Sequence, residues 1–430
     1  MIQQIFKSSL FKNLFFLYSS YFARYLFPLA VIPFLSRILG ASSWGEILFT
    51  QSFSLYISLV VEFGFGMSAT RDIAKNRNNK RILLEISSKV FSGQVLLAII
   101  LIPLTLPFLL IIKIFIQNPS FYFLGLFGGL FQGLNLFWFF RGMERMKYVA
   151  LVEFFTKLIA TVGIFVFVKS ATDSWIVLFH NLAATFIAFI LGFTYIKKEM
   201  PLSIKISKKL FTTFKISSRF FWVRAGAGLS SMGLIFICGI YLPPSQVAFF
   251  TGAEKIITTV RSLLTPAVDA LFPRLSYLLE NDLMKGIELI RKSFYVMLII
   301  GLFLSFFVFL FAQEIVLIFL GIEYLNSVLV LKILSPIPLI ASINHTLGSQ
   351  WMIPIRLDLV FSKIVIFNGI ITLFISYLLL EINKSYHEIA ALLVISNFSL
   401  ILYYNFFLKS KKLHFLSKKI HKRLKHYKIT

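Results

Sequence analysis

Residues 86 to 112 read ISSKVFSGQVLLAIILIPLTLPFLLII, a long apolar run that indicates a membrane-spanning helix. After Lys89 it continues to Ile112 without a charged residue, whereas ~20 apolar residues already cross a bilayer as a helix. The whole chain of 430 residues agrees, because 58% of it is hydrophobic and only 14% is charged. Soluble domains carry about 25% charged residues. The composition therefore excludes a soluble globular enzyme and predicts an all-α polytopic membrane protein.

Eleven further segments are long and apolar enough to span a bilayer. The segment nearest the N-terminus has no cleavage site of the kind that ends a removed signal peptide, so it is predicted to be a retained span. The twelve predicted spans are 14 to 35, 45 to 67, 86 to 112, 119 to 140, 148 to 168, 175 to 196, 216 to 242, 247 to 269, 293 to 312, 328 to 353, 362 to 381 and 386 to 408. Several contain proline, for example Pro103 and Pro107. Helices broken in this way survive in lipid only where protein or a water-filled cavity satisfies the backbone, which indicates a transport path.

The positive charge is distributed unequally between the loops on the two sides. The chain has 43 Lys and Arg against 18 Asp and Glu, a net charge of +25. With the N-terminus in the cytoplasm, 31 of the basic residues lie in cytoplasmic segments and only Arg37, Lys113, Lys169 and Lys384 lie in outward loops. Short loops obey the positive-inside rule. Both termini are therefore predicted to be cytoplasmic.

A basic loop at residues 197 to 215 separates six spans from six. The predicted organisation is an N-terminal lobe at 1 to 196, this linker, a C-terminal lobe at 216 to 408, and a basic tail at 409 to 430. The tail has nine Lys or Arg, three His and no acid, which fits a solvated tail that sets topology. Its alternative role is attraction to anionic lipids, because each basic residue near such a surface contributes ~1 kcal/mol. Nucleic acid is not an expected partner.

Ionisable groups inside the spans are the candidates for function, because each costs several kcal/mol unless it faces a cavity or a partner. The eight basic and four acidic residues are Arg24, Lys89, Lys157, Arg219, Arg224, Lys255, Arg261 and Lys332, with Glu62, Glu153, Glu254 and Asp269. A net cationic interior suits an anionic passenger, and planar guanidinium groups suit phosphate oxygens.

Helical spacing sorts these groups into candidates and alternatives. Arg24 shares a face with other polar residues of the first span, and Glu254, Thr258 and Arg261 form a polar stripe with Lys255 beside it. The predicted substrate-binding residues are Arg24, Arg219, Arg224, Lys255 and Arg261, and Glu254 is the candidate for H⁺ or Na⁺ coupling. The alternatives are that Glu153 and Lys157 neutralise each other, that Lys89, Arg219 and Glu62 snorkel from span ends, and that Glu254 only balances nearby cations.

Cysteine and histidine give no sign of a metal or redox centre. The single cysteine, Cys238, has apolar neighbours, and none of the six histidines lies at a metal-ligand spacing from a cysteine or a carboxylate. No cofactor and no catalytic residue is predicted.

The two halves of the sequence resemble each other weakly. When they are aligned with an offset of 203 residues, the position that corresponds to Arg24 in the second half falls within one helical turn of Arg224. Five stretches then carry a resemblance to a family: PFLSRILGASSWG (33 to 45), EFGFGMSATRDIAKNR (62 to 77), FWFFRGMERMKYV (137 to 149), LPPSQVAFFTGAEKIITTVRSLLTPAVDALFPRLS (242 to 276) and YLNSVLVLKILSPIPLIASINHTLG (324 to 348). In this order they resemble the bacterial flippases for lipid-linked oligosaccharides, the O-antigen-unit exporters. Ala41 and Arg141 depart from the Pro and Gln that are usual in that family.

The resemblance implies the fold of the multidrug/oligosaccharidyl-lipid/polysaccharide exporter superfamily, with two pseudo-symmetric six-helix lobes around a central cationic cavity. It implies an oligosaccharide on undecaprenyl pyrophosphate as passenger, carried across the bacterial inner membrane for O-antigen or related polysaccharide. Arg24, Lys255 and Arg261 match the residue types of the family's cationic cavity. A polysaccharide polymerase and a chain-length regulator are expected partners.

Two other functions compete with this interpretation. A drug or cation antiporter of the same superfamily needs an acidic cavity, whereas the first span carries Arg24 and no acid. A membrane polymerase or glycosyltransferase generally needs a large extramembrane loop with catalytic acids. The longest outward loop here is 313 to 327, and its only acidic residues are Glu314 and Glu323. The sequence therefore favours a transporter that is not an enzyme.

Overall fold

The computed structural model describes residues 9 to 204, 208 to 229, 232 to 417, 420 and 424, and the described part is helical without any strand. The α-helices are α1 (Ser9–Glu62), α2 (Phe65–Lys75), α3 (Lys80–Ile111), α4 (Lys113–Gln117), α5 (Pro119–Gly133), α6 (Phe137–Gly142), α7 (Met146–Phe167), α8 (Ser174–Glu199), α9 (Lys208–Leu229), α10 (Met232–Tyr241), α11 (Pro244–Ser262), α12 (Thr265–Asn281), α13 (Leu283–Leu310), α14 (Ala312–Phe319), α15 (Asn326–Leu334), α16 (Ile337–Asn344), α17 (Asp358–Ile382) and α18 (Tyr386–Ser410). A π-helix, His345–Met352, follows α16.

Nine stretches of the described residues are long and apolar enough to cross a membrane. They are Ala30–Lys75, Lys80–Ile111, Pro119–Gly142, Met146–Phe167, Ala171–Glu199, Leu283–Leu310, Asn326–Met352, Asp358–Ile382 and Tyr386–Ser410. The all-helical membrane class is confirmed, whereas a count of twelve spans stays a prediction.

Most of the first predicted span, 14 to 35, lies outside the residues whose side chains the structure describes, so it does not enter the count of nine. Helix α1 contains this span and most of the second, and it is kinked at Gly40, where φ is 69° and ψ is 173°. The eighth predicted span falls on α11, which carries Glu254, Lys255 and Arg261, and so many charges in nineteen residues weaken its apolar character. The seventh predicted span, 216 to 242, includes residues outside the described part of the chain, and its described end contains the short apolar helix α10.

The chain separates into two compact units. The first comprises Met1–Ala225 with Pro243–Ala248, and the second comprises Gly226–Leu242 with Phe249–Thr430. The change of unit after Ala225 falls inside α9, whereas the sequence places the division of the lobes at residues 197 to 215. The boundaries of the two lobes stay a prediction.

In the first unit, α1 packs against α5, α7 and α3. Helix α5 meets α1 with a run of glycines at four-residue spacing, Gly125, Gly129 and Gly133. All three are helical positions where an added Cβ would meet side chains or backbone of α1. Small residues of this kind let two helix backbones approach closely, which is the main means of packing apolar helices in lipid.

In the second unit, α13 packs on α16, and α17 packs on α18. A connected set of hydrogen bonds joins α17 to α18, because Asn368 donates to both oxygens of Ser396, and Thr372 and Ser396 share a hydrogen bond of 2.6 Å. Ser399 donates to Asn368 Oδ1 at 2.5 Å. These polar groups lie in an apolar helix pair and satisfy one another, as buried polar groups must.

Residues 409 to 412 at the beginning of the basic tail are exposed, whereas the next residues pack against the second unit. Leu413 and Phe415 are buried in the core of the second unit. The indole N–H of Trp351 donates to the Leu413 carbonyl at 3.0 Å, and the Arg291 guanidinium donates to the carbonyls of Phe415 and Ser417, each at 3.0 Å. Lysines dominate the composition of the tail, but its apolar residues determine where its first part lies.

Candidate functional site: charged groups within the membrane helices

The six predicted site residues lie on three helices. Arg24 is on α1 and Arg219 is on α9, but their side chains are outside what the structure describes. Arg224 is also on α9 and belongs to the first unit. Glu254, Lys255 and Arg261 are on α11, in the part that belongs to the second unit. The structure therefore gives two local charge environments, each within one unit.

In the first unit, Arg224 forms an ion pair with Glu62 at the carboxyl end of α1, so it is not an isolated cation. The other carboxylate oxygen, Oε1, accepts the backbone N–H of Gly66 at 3.1 Å. The Glu62 side chain is 15% exposed and that of Arg224 is 48% exposed. The sequence singles out both residues but gives no reason to pair them, because 162 residues separate them.

The chain around Glu62 is fixed to α9 by close contacts. The ring of Phe63 stacks on Phe221 with centroids 4.7 Å apart, and the hydroxyls of Ser68 and Ser217 share a hydrogen bond of 2.8 Å. Gly64 has φ of 72°, and an added Cβ would come within 2.6 Å of the Ser217 carbonyl oxygen. Glycine is required here both for the left-handed backbone and for the close approach of α9.

Two of the stretches that carry the family resemblance meet at one place in the first unit. Thr70 Oγ1 donates to the Trp138 carbonyl at 3.1 Å, and Arg77 Nε donates to the Gly142 carbonyl at 2.8 Å. Arg77 also forms an ion pair of 2.8 Å with Glu144. The stretches 62 to 77 and 137 to 149 thus build one structural element, with hydrogen bonds from the first to carbonyls of the second.

In the second unit, the predicted polar stripe on α11 is present. Glu254 is only 7% exposed, and Thr258 Oγ1 donates to its Oε1 at 2.9 Å. Lys255 is half-buried and close enough to Glu254 for their charges to interact. Arg261 is half-buried at the carboxyl end of α11. A buried carboxylate, a hydroxyl and two cations therefore lie along less than three turns of one helix.

The π-helix His345–Met352 is a feature that the sequence reasoning missed. His345 at its start lies close enough to Arg261 for that charge to act on the imidazole. Gln350 is fully buried and accepts a hydrogen bond of 3.1 Å from Ser293, while its Nε2 has no hydrogen-bond partner among the residues that the structure describes. The polar run NHTLGSQ at 344 to 350, inside an otherwise apolar span, is the signal that could have indicated it.

Other charged groups in the spans have ordinary surroundings. Lys89 forms an i,i+4 ion pair of 2.7 Å with Glu85. The Lys332 ammonium is exposed and lies 6.0 Å from the centroid of the Phe309 ring. Among the described residues, no three His, Cys, Asp or Glu side chains come close enough together to hold a metal ion.

Solved structures of low sequence identity share the fold. The lipid II flippase MurJ in an inward closed conformation aligns with a TM-score of 0.71 at 13% identity, over 92% of this chain and 87% of that one. An inward-facing multidrug resistance MATE family transporter of the MOP superfamily aligns with a TM-score of 0.62 at 16% identity, over 90% of this chain and 94% of that one. Such identities establish the architecture alone.

Sequence comparison gives the family. A protein of Escherichia coli (strain K12) named "Putative O-antigen transporter" is 31% identical over 387 residues, which are 88% of this chain and 92% of that protein. A protein of the same name from Shigella dysenteriae is 26% identical over 93% of this chain and 100% of its own length. The family described as "Polysaccharide biosynthesis protein" matches residues 10 to 279. The apolar helices make this chain a multi-pass membrane protein. By its sequence, the chain belongs to the polysaccharide biosynthesis protein family.

Proposed function

We propose that this chain is a flippase that moves undecaprenyl-pyrophosphate-linked oligosaccharide units from the inner to the outer leaflet of the bacterial cytoplasmic membrane. The units would serve the synthesis of O-antigen or a related surface polysaccharide. The observation that carries the proposal is the 31% identity to the E. coli protein named an O-antigen transporter, which extends over nearly the full length of both chains.

The physical problem is to move a doubly negative pyrophosphate and hydrated sugars across a hydrocarbon core of about 30 Å. We propose twelve spans in two lobes that alternate between inward and outward opening, with a water-filled cationic cavity that removes most of the desolvation cost. The prenyl chain stays in lipid. The pyrophosphate is held by the five cations Arg24, Arg219, Arg224, Lys255 and Arg261. Guanidinium groups suit this role because their N–H groups bind phosphate oxygens in a bidentate manner.

Glu254 is the candidate for coupling transport to an H⁺ or Na⁺ gradient. Its burial and its hydrogen bond from Thr258 support this role, since a buried carboxylate gains from a bound cation. The competing role is to balance Lys255 and Arg261. Export from vesicles at a rate that does not depend on pH or Na⁺ would leave only the second role.

Both termini are proposed to be cytoplasmic, and the basic residues of the tail to contact anionic lipids of the inner leaflet. A polymerase and a chain-length regulator are the proposed protein partners, because a flipped unit must be joined to others on the outer side.

Two alternatives are weaker. A drug or cation antiporter has the same fold, as the MATE family transporters illustrate. However, the ionisable groups that the sequence places inside the spans are eight bases and four acids, which suits anions. A polymerase or glycosyltransferase fits less well, because the relatives are named as transporters and no catalytic constellation is evident in the sequence.

The proposed function is tested by complementation of a flippase-deficient strain. Arg24→Ala and Arg261→Ala should each abolish surface polysaccharide while the protein remains in the membrane at its normal amount. Arg81→Ala is the matched control, because Arg81 is an exposed arginine at the start of α3 and should be dispensable. Normal surface polysaccharide in both cavity variants would contradict the assignment of these cations.

A further inference from the structure

Glu62 occupies an unusual position for an acid near the end of a membrane helix. It is largely buried, it forms the ion pair with Arg224, and its second oxygen accepts the Gly66 N–H at 3.1 Å. Arg224, by contrast, is about half-exposed. The cation of this pair is therefore accessible at the protein surface, whereas the acid is held in the protein.

We propose that Glu62 is a positioning residue that occupies Arg224 in the unloaded carrier and is displaced from it by the pyrophosphate of the passenger. This inference rests on the proposed function, because it assumes that Arg224 binds the passenger.

The charges favour such an exchange of partners. A carboxylate offers one negative charge, whereas a pyrophosphate diester offers two, with several oxygens that a guanidinium can bind in a bidentate manner. Because Arg224 is about half-exposed, its pair with Glu62 is weaker than a fully buried ion pair, and Arg224 keeps an anionic partner after the exchange. Arg224 can therefore leave Glu62 for a stronger anion without a large cost.

The surroundings also explain why Glu62 would tolerate the loss of Arg224. Gly66 lies in the first turn of α2, and its N–H stays bonded to the Glu62 carboxylate whichever partner Arg224 has. An added Cβ at Gly66 would displace the Glu62 carboxylate oxygen from its present position. The Phe63–Phe221 stack and the Ser68–Ser217 hydrogen bond hold the two segments together without the ion pair.

The consequence is that Glu62 sets how tightly the empty carrier binds its passenger and how readily it releases it. With Glu62 present, passenger binding must break an existing pair, which lowers affinity, and re-formation of the pair assists release. Removing the negative charge should therefore tighten binding and slow export, a combination that a residue needed only for folding would not produce.

The experiment measures the Kd of farnesyl pyrophosphate for the full chain in nanodiscs of neutral lipid by isothermal titration. Glu62→Gln should lower the Kd at least fivefold, and Arg224→Ala should raise it. The double variant should bind like Arg224→Ala alone, because the effect of Glu62 requires Arg224. Export by Glu62→Gln in the complementation assay should fall although its binding improves.

Glu288→Gln is the matched control, since Glu288 forms a surface ion pair of 2.7 Å with Lys292 and its loss should leave the Kd unchanged. If Glu62→Gln does not yield folded protein by thermal unfolding, Glu62→Asp replaces it. Its shorter side chain weakens the pair and should give a smaller decrease in Kd.

The outcomes separate this inference from the proposed function. Wild-type protein that binds farnesyl pyrophosphate while Glu62→Gln binds equally or more weakly overturns the role of Glu62 and leaves the flippase proposal standing. A tightening that persists without Arg224 overturns it too. Wild-type protein that binds farnesyl pyrophosphate no better than farnesol contradicts the anionic passenger, and the role of Glu62 with it.

Discussion

The residues that follow the last membrane helix illustrate how single side chains fix a segment that composition alone would leave in solvent. His414 is partly buried, and its imidazole contacts the Asn405 side chain and the backbone of Leu416. Its Nε2 lies 2.9 Å from Asn405 Oδ1, and its Nδ1 accepts the Leu416 N–H at 3.2 Å. These contacts suit the neutral imidazole with the proton on Nε2, because a proton on Nδ1 would remove the hydrogen bond from Leu416.

A pH dependence of stability follows. Burial and then the positive charge of Lys409 hold the pKa of His414 below its usual value of 6.5. At a pH between the pKa of His414 in the folded chain and its pKa in the unfolded chain, only the unfolded chain binds the proton. The contribution of His414 to the free energy of unfolding is therefore complete above the unfolded pKa and is lost as the pH falls below that value. From pH 7.5 to 5.5, the Tm of the wild type should therefore decrease more than that of His414→Gln, as measured by thermal unfolding in detergent. Parallel curves for the two proteins would show that His414 does not contribute.

At the scale of elements, the glycines of α5 determine how closely it packs on α1. An added Cβ would lie 2.8 Å from Thr50 Cγ2 at Gly125, 2.7 Å from Ile57 Cβ at Gly129, and 2.5 Å from Val61 Cβ at Gly133. These distances are shorter than ordinary van der Waals contacts, so the two helices could not keep their present separation with larger residues. The spacing GxxxGxxxG is visible in the sequence, and it is the local signal for this helix pair.

Gly129→Ala should destabilise the protein, because its Cβ would also collide with the Ser54 carbonyl oxygen, which belongs to the backbone and cannot move aside. Overpacking of this kind costs about 1 to 3 kcal/mol. Gly192→Ala in α8 is the matched control, since its Cβ would meet Leu136 Cβ at an ordinary 3.6 Å. Thermal unfolding should show a lower Tm for Gly129→Ala and an unchanged or higher Tm for Gly192→Ala. Equal Tm values would contradict the close packing.

At the scale of the whole molecule, the distribution of charge is the basis for orientation. The basic residues concentrate in alternate loops, and the positive-inside rule converts that asymmetry into a topology. The predicted orientation rests on the sequence alone, because it depends on which loops carry the charge and not on how the helices pack.

Cysteine labelling tests the predicted topology. In a Cys238→Ser background, Lys384→Cys should react with a membrane-impermeant maleimide in cells whose outer membrane alone is permeabilised, because residue 384 is exposed and in a predicted outward loop. Asn78→Cys, exposed in a predicted cytoplasmic loop, should react only after the inner membrane is opened. Labelling of position 78 before position 384 would reverse the orientation.

Local properties of the sequence are sufficient to predict the membrane class, the family and the polar stripe on α11. These predictions use local properties: the length of the apolar runs, the distribution of charge between loops, and the i,i+4 spacing of Glu254 and Thr258. Within a helix, that spacing puts two side chains on one face whatever the rest of the chain does. The sequence also indicated the break after the first span, where Gly40 adopts its positive φ.

Contacts between distant segments, which no local pattern predicts, determine which charges are compensated and where the first part of the tail lies. The partner of Arg224 is Glu62, 162 residues away, and no periodicity connects two such positions. Likewise, the buried Leu413 and Phe415 side chains place the first part of the tail, and Trp351 and Arg291 from distant parts of the chain donate hydrogen bonds to the carbonyls of the same two residues. Both cases have one cause. The energy of a charged group or a carbonyl depends on the groups within a few ångströms of it, and folding supplies those neighbours from distant parts of the chain.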